Sequence, residues 1–509
     1  MIPTTMFAAT SVTATSLVTF DWSVLAPVLV PALAAVVVLV LDVIAPRLVR
    51  LHAAVGVLAL AAGIAFAVPG ALRAGDDPLR TLCLPAPDGA CLFEAGPLVS
   101  ALQLGALGAA LVVLLLSWPG TDPRDPLRGG PAVLVSLVLA ATAGAAGVAA
   151  AHDLGSWLVC LELATLPAIA LVALRGDAPA GRGALALLTT SLVSFAMVAL
   201  GAALWLVSTG EAVFAPGAAA DALADPERRV VLLLAVLLLL AGLGFKLSLV
   251  PFHVWTPQAY AGATEPVAAF LAATSKVAAL AALLVVVRPL VGAEAPVLAG
   301  IGLLAAVSMT LGNVLALVQD DPVRLLAWST VAQAGWVVLP LSALNEQSAA
   351  ASGGYLLAYV IATLVAFVVV HVVTATPRLR GATDLGRTLT AYTGLLRAHP
   401  LLGGALGLAL LSLAGLPPGV IGLVAKVVAL RPVVGEGQWV LAFVAVLNAV
   451  IGVAVYLRWF AVLLRDPDEG PARPVIRSIR RPALAALVLS GGALVATSVM
   501  PQLLLGLLD

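Results

Sequence analysis

Read for polarity alone, the chain is a succession of long apolar runs separated by short polar connectors. Runs of roughly 20 apolar residues, the length a helix needs to cross a bilayer, fall near 24–44, 52–72, 97–117, 131–150, 154–174, 183–207, 230–252, 265–290, 296–318, 323–343, 351–374, 399–430, 438–464 and 482–508. The pattern predicts an all-α polytopic membrane protein of about 14 transmembrane helices, numbered here as spans 1 to 14. Two spans are interrupted. Span 7 has Pro251 near its end, and the overlong span 12 contains GLPPG, Gly415–Gly419. A proline inside a span removes a backbone donor and frees carbonyls at membrane depth. Paired broken helices in corresponding positions of two halves are the mark of inverted repeats. Spans 4–8 and 9–13 count five helices each, so they have opposite orientations and place the broken spans 7 and 12 at equivalent fourth positions. The expected division is a three-helix N-terminal segment (1–130), a first repeat (131–290), a second repeat (296–464), and a basic loop with the last helix (465–509).

Composition removes the soluble alternative. Apolar residues make up 62% of the chain and charged residues 10%, against about 45–50% and about 25% in soluble domains. The mean hydropathy is +1.12. A formal net charge of zero gives no pointer to nucleic acid. No basic residue precedes the first apolar run, so a cleaved signal peptide is not expected.

Arginine placement orients the bundle. The connectors after even-numbered spans hold only Arg73, Arg80, Arg228, Arg229, Arg288 and Arg431, and the rest follow odd-numbered spans. By the positive-inside tendency the odd connectors are cytoplasmic and both termini lie outside, in a bacterial-type plasma membrane. Two outer connectors are long. The one at 73–96 holds Cys83 and Cys91, which on an oxidising face can pair or can stay as two thiols. The one at 208–229 reads as a flexible connector. The segment Arg465–Arg481 reads as a cytosolic connector attracted to anionic headgroups.

Charge within the spans narrows the function. An ionisable side chain deep in a bilayer costs about 2.5–3.5 kcal/mol on insertion scales. Four such groups stand out: Glu162 in span 5, Lys246 in span 7, Lys276 in span 8 and Lys426 in span 12. The chain has only three lysines, and these are all of them. A buried ammonium can give up its proton, whereas a guanidinium effectively cannot. An arginine-rich chain that keeps lysine only inside the membrane therefore points to a proton path. The plainer alternative is helix-packing neutralisation, but one carboxylate cannot compensate three lysines.

Other groups carry less. His253, in PFHVWTP, sits where span 7 ends, and His371 lies near the inner end of span 11. Either can be an interfacial histidine or a proton relay. Asp153 reads as an N-terminal cap of span 5, Glu265 as a dipole-stabilised start of span 8, and Asp320, Asp321 and Arg324 as a charged inner turn. Gln333 and Ser329, in WSTVAQAGW, are uncharged groups able to hold water within span 10. The three cysteines, Cys83, Cys91 and Cys160, form no CxxC pair. Nothing suggests haem, a metal or a dinucleotide, so no cofactor is expected in this chain.

With these residues in view, the sequence resembles the antiporter-like, proton-translocating subunits of respiratory complex I (NADH-quinone oxidoreductase), specifically the subunit N type. The carriers are FKLSLVPFHVWTPQAYAGA with PVAAFLAATSK after it, LELATLPAIALVAL around Glu162, GNVLALVQDDPVRLLAWSTVAQAGW in spans 9–10 and SLAGLPPGVIGLVAK in span 12. They run from about residue 150 to 460; spans 1–3 fit by count alone. The resemblance implies an adjustable Glu162–Lys246 ion pair, Lys276 as central carrier and Lys426 leading to the outlet. It also implies other membrane-arm subunits as partners, with quinone, NADH or another donor, flavin and iron–sulfur clusters held by partner subunits. Two positions depart from the family's pattern: Gln333 stands where histidine is usual, and Glu265 where the residue is normally small or hydroxylated. The rival readings are a subunit of a multi-subunit Na⁺/H⁺ antiporter and a structural membrane scaffold.

Overall fold

A computed structural model describes residues 20–73, 77–83, 90–120, 130–291, 297–375, 387–466, 476 and 478–508. The N-terminal residues, the connectors 121–129 and 376–386, and most of the basic Arg465–Arg481 segment lie outside the described residues, together with the expectations placed on them. Among the described residues, thirteen helices are long and apolar enough to cross a membrane. Span 12 is split into Pro400–Ala414 and Val420–Gly435.

The remaining spans follow the apolar runs closely. Span 4 is Gly130–Ala150, span 5 Leu154–Ala173, span 6 Ala178–Thr209, span 9 Val297–Leu317, span 11 Ser348–Thr374 and span 13 Trp439–Leu464. Local chemistry fixes their ends. Asp153 accepts from Ser156 N at 2.9 Å, and Asp321 accepts from Val323 N at 2.7 Å, so both acids cap helix N-termini. The charged turn at Asp320 and Asp321 therefore has a capping role. Large apolar side chains such as Val159, Leu192, Val207, Val440 and Phe443 point outward from spans 5, 6 and 13, as a lipid-facing perimeter requires. Spans 8, 10 and 11 are buried almost throughout and form the core that holds the polar chemistry.

The repeat is visible in the packing. Span 4 packs on span 5 as span 9 packs on span 10; span 6 packs on span 7 as span 11 on span 12; span 8 returns to span 4 as span 13 returns to span 9. Spans 1–3 and 14 brace this pair, with span 3 touching spans 8, 11 and 14.

Three local features differ from the sequence reading. Span 7 does not end at residue 252; it runs as Pro226–Leu247, breaks, and resumes as Trp255–Gly262. His253 thus sits in the break, its ring 5.4 Å from that of Trp328. Span 8 is also broken, at Ala273 between Glu265–Ala272 and Thr274–Val287. No glycine or proline signals that break. The 208–229 connector contains a helix, Pro216–Ala224, which packs on the start of span 7 and on Arg288–Leu290, so it is a seated element. At the same end of the bundle the strands Leu79–Cys83 (β1) and Cys91–Ala95 (β2) form an antiparallel hairpin in which Cys83 and Cys91 are directly opposed and disulfide-bonded. Of the two alternatives left open by the sequence, the disulfide is the one present.

Candidate functional site

The two breaks share one backbone design. The first half of span 7 ends at Ser248, left-handed at φ 69°, and the first half of span 12 ends at Gly415, left-handed at φ 79°. Each termination is a Schellman turn. Leu249 N reaches back to Gly244 O at 2.8 Å and Leu416 N to Leu411 O at 2.9 Å. Ser248 N donates to Phe245 O and Gly415 N to Ser412 O, both at 3.0 Å. A proline follows three residues after each left-handed position, Pro251 and Pro418, and cannot continue the helix. Superposed by this turn, Lys246 corresponds to Leu413.

That correspondence organises the cations. The last carbonyls of a broken half-helix carry the negative end of its dipole into the membrane. At the span 7 break, Lys276 Nζ donates to Lys246 O at 2.9 Å and to Ser248 Oγ at 2.5 Å. At the span 12 break, Lys426 Nζ donates to Leu413 O at 3.2 Å and to Ala414 O at 2.6 Å. Each break therefore offers one lysine an equivalent carbonyl, Lys246 O or Leu413 O, with a second oxygen from the Ser248 hydroxyl in span 7 and from the Ala414 carbonyl in span 12. Tryptophan faces add to both: Lys276 lies 4.7 Å from the Trp255 ring centre and Lys426 5.6 Å from that of Trp336. Gly415 must be small as well as left-handed, because a Cβ there would lie 3.1 Å from Lys426 Nζ.

Lys246 is held differently. Its ammonium donates to Glu162 Oε1 at 3.0 Å and to Thr165 Oγ1 at 2.6 Å, one turn apart on span 5. The three lysines are each at most 6% exposed. Beside Lys246, a cavity of about 20 Å³ bordered by Thr165, Ser191 and Ser275 has room for about one water.

Between Lys276 and Lys426 lie separate hydroxyl and amide clusters that the sequence reading only partly anticipated. Ser248 and Thr256 hydroxyls are 2.6 Å apart. Further along, Thr330 pairs with Tyr359 at 2.8 Å and Ser329 with Tyr456 at 2.7 Å. Gln333 is the hub: its Nε2 donates to Tyr456 at 2.8 Å, and its Oε1 accepts from the Tyr355 hydroxyl. The amide also lies 3.5 Å from Leu413 O, the carbonyl that Lys426 uses. A cavity of about 10 Å³ touches Gln333, Tyr355, Tyr359 and Ser412. Only Gln333 and Ser329 were singled out in advance. The tyrosines were not, although Tyr355 and Tyr359 stand one turn apart on span 11 in a chain with five tyrosines in all.

His253 and His371 are not in these clusters. His371 Nδ1 lies 4.0 Å from Glu265 Oε2, and Arg387 Nη2 lies 3.7 Å from the other carboxylate oxygen. Glu265 therefore has two side-chain partners in addition to its helix N-terminus.

A broken-helix bundle with buried lysines on paired helix breaks defines a class: membrane subunits of the antiporter type. The family model for the NADH:quinone oxidoreductase/Mrp antiporter transmembrane region matches residues 151–452, and the chain belongs to this family. It is 37% identical to NADH-quinone oxidoreductase subunit N 2 of Streptomyces griseus over 95% of this chain and 92% of that protein. Among solved structures it is similar to a chain of respiratory complex I from Thermus thermophilus, with TM-score 0.75, 31% identity, and coverage of 94% of this chain and 98% of that one. It is also similar to a chain of the Mrp complex from Dietzia sp. DQ12-45-1b, with TM-score 0.80, 22% identity and 96% coverage of both; that likeness concerns the fold.

Proposed function

We infer that this chain is a proton-translocating membrane subunit of an NADH-quinone oxidoreductase, of the subunit N type. Its partners are the other membrane-arm subunits, and NADH or a related donor, flavin, iron–sulfur clusters and quinone belong to partner subunits. The antiporter reading rests on shared fold, whereas the subunit N reading rests on identity along nearly the whole chain.

The observation that carries the mechanism is the junction at Lys246. Its side chain is paired with Glu162 while its own carbonyl holds the ammonium of Lys276. A charge disturbance arriving along the membrane arm separates Glu162 from Lys246, which weakens the hold on the Lys246 proton. That proton moves to the Lys276 site, and the displaced proton crosses the Ser/Thr/Tyr/Gln clusters to Lys426. The units 131–290 and 296–464 act as the two halves of the path. Arginine-rich connectors face the cytoplasm, and the disulfide hairpin faces the outside. His253, Gln333 and His371 are candidate relays, with Gln333 ordering hydroxyls and water without carrying charge itself.

The test is redox-linked acidification of inverted membrane vesicles containing the assembled complex. Lys246→Ala and Lys276→Ala should each abolish the subunit's proton transfer, whereas full pumping in both variants would overturn the path. Normal pumping in Glu162→Gln would favour a scaffold role for the ion pair.

A further inference from the structure

We propose that protons leave this chain through a water-filled vestibule at the hairpin end of the bundle, with the Ser352 hydroxyl as the last buried step between Tyr355 and that vestibule. This rests on the reading of Lys426 as the far end of the path, and it supplies the outlet that reading lacks.

The vestibule is a cavity of about 330 Å³ where the hairpin, the turn between spans 4 and 5, the end of span 8 and the turn between spans 10 and 11 meet. A single water needs about 10–15 Å³, so this space holds a water cluster. Its polar lining is Glu94, His152, Arg288, Asn345, Glu346 and Ser348. Positive and negative groups face one another across it. Glu94 is itself tied to Arg80 at 3.1 Å across the hairpin, and the disulfide between β1 and β2 fixes that wall. Burial holds the His152 imidazole below its ordinary pKa, against the opposing field of Glu94.

Span 11 connects this space to the lysine chain. Ser348, Ser352, Tyr355, Tyr359 and Thr363 recur at spacings of three and four, which places them on one helix face. Tyr355 donates to Gln333 and stacks on Trp336 at 5.7 Å, the same ring that Lys426 overlies. Ser348 lines the vestibule. Between them lies Ser352, fully buried, its hydroxyl without a hydrogen-bond partner among the described residues. A buried hydroxyl in that state is expected to find water. One turn separates Ser352 from Tyr355 on one side, which borders the small cavity at Gln333, and from Ser348 on the other, which lines the vestibule. Gly353 and Gly354 beside it are filled in by Leu98 and Leu508, which seals this row of side chains laterally.

The test places cysteine at Ser348 or Ser352 in a Cys160→Ser background of the assembled complex. A membrane-impermeant cationic methanethiosulfonate is then applied to each side of vesicles. Ser348→Cys should react rapidly from the hairpin side. Ser352→Cys should react more slowly from the same side, and its labelling should lower redox-linked pumping while uncoupled electron transfer persists. Pumping is measured before the reagent is added, which separates blockage from misassembly. A Ser352→Cys thiol that is unreactive, that reacts only from the opposite side, or whose labelling leaves pumping unchanged overturns the outlet. The underlying path stands or falls separately: full pumping in Lys246→Ala and Lys276→Ala removes it whatever the labelling shows.

Discussion

The two broken spans use the same turn for different electrostatic ends. At span 12 the break and the lysine belong to one helix, and Lys426 folds back onto the carbonyls its own span exposes. At span 7 the exposed carbonyl serves a lysine from span 8, and the residue that owns the carbonyl, Lys246, turns its side chain to a carboxylate. Leu413 occupies the matching place in span 12, so the second repeat has no counterpart to the ion pair. The difference teaches that the chain has two kinds of cation site. Lys426 is solvated by two backbone carbonyls, and Lys276 by one carbonyl and the Ser248 hydroxyl. Lys246 is balanced by a side-chain carboxylate, Glu162. On the proposed path, the pair at Lys246 is the member that answers to a distant electrostatic signal, because its partner is a side chain and not the backbone.

The largest effect that could break this comparison is on stability. Removing one member of a buried ion pair costs about 3–5 kcal/mol, most of it from the charge left behind. Lys246→Met should therefore destabilise the chain by about that amount, and Glu162→Gln in the same background should restore most of it. Lys426→Met leaves no uncompensated charge and should cost clearly less. Thermal disassembly of the purified complex, read as a double-mutant cycle, measures this. Equal costs at Lys246 and Lys426, with no rescue by Glu162→Gln, would erase the distinction.

The next effect concerns the link between the two sites. Gln333 satisfies two buried tyrosine hydroxyls at once. Gln333→Leu orphans the Tyr355 hydroxyl and leaves Tyr456 with Ser329 alone, at about 1–3 kcal/mol for the buried polar group left unpaired, and should slow pumping by disconnecting Lys426. Gln333→His retains a donor and an acceptor and should keep pumping. It should also make the rate sensitive to pH near the imidazole range, since a titratable group then stands in the chain. Loss of pumping in both variants would mean that the amide's shape, and not its hydrogen bonding, is what the site requires.

What was readable in advance follows from what the membrane penalises. Glu162 and the lysines were legible because an ionised group in hydrocarbon is expensive enough to need a reason. The breaks in spans 7 and 12 were legible because Pro251, Pro417 and Pro418 cannot be ignored. The break at Ala273 left no such mark, since its backbone groups are satisfied inside the protein and any residue can occupy it. Tyr355, Tyr359, Tyr456, Ser248 and Thr165 were passed over for a related reason. Hydroxyls sit in apolar helices at little cost, so their presence alone says nothing until neighbours are known. Period-four spacing on span 11 was the available clue. The equivalence of Lys246 and Leu413 was also beyond the sequence, because it lies in the turn geometry and not in the side chains.

The smallest expected effect isolates that geometry. Ser248 and Gly415 hold the same left-handed position, and a side chain there costs about 1–2 kcal/mol relative to glycine. Serine in span 7 thus accepts a conformational cost that glycine in span 12 avoids, and its return is the hydroxyl that Lys276 and Thr256 share. Ser248→Gly should relieve the backbone and remove the hydroxyl together, leaving stability within about 1 kcal/mol of the parent. Ser248→Ala keeps the strained backbone without the hydroxyl and should be the less stable of the two. Both should slow proton transfer through Lys276 equally, because each removes the hydroxyl that accepts from the ammonium and leaves the Lys246 carbonyl in place. If Ser248→Gly pumps at the parental rate while Ser248→Ala does not, the turn's rigidity governs transfer. The two breaks would then be functionally alike despite their different side chains.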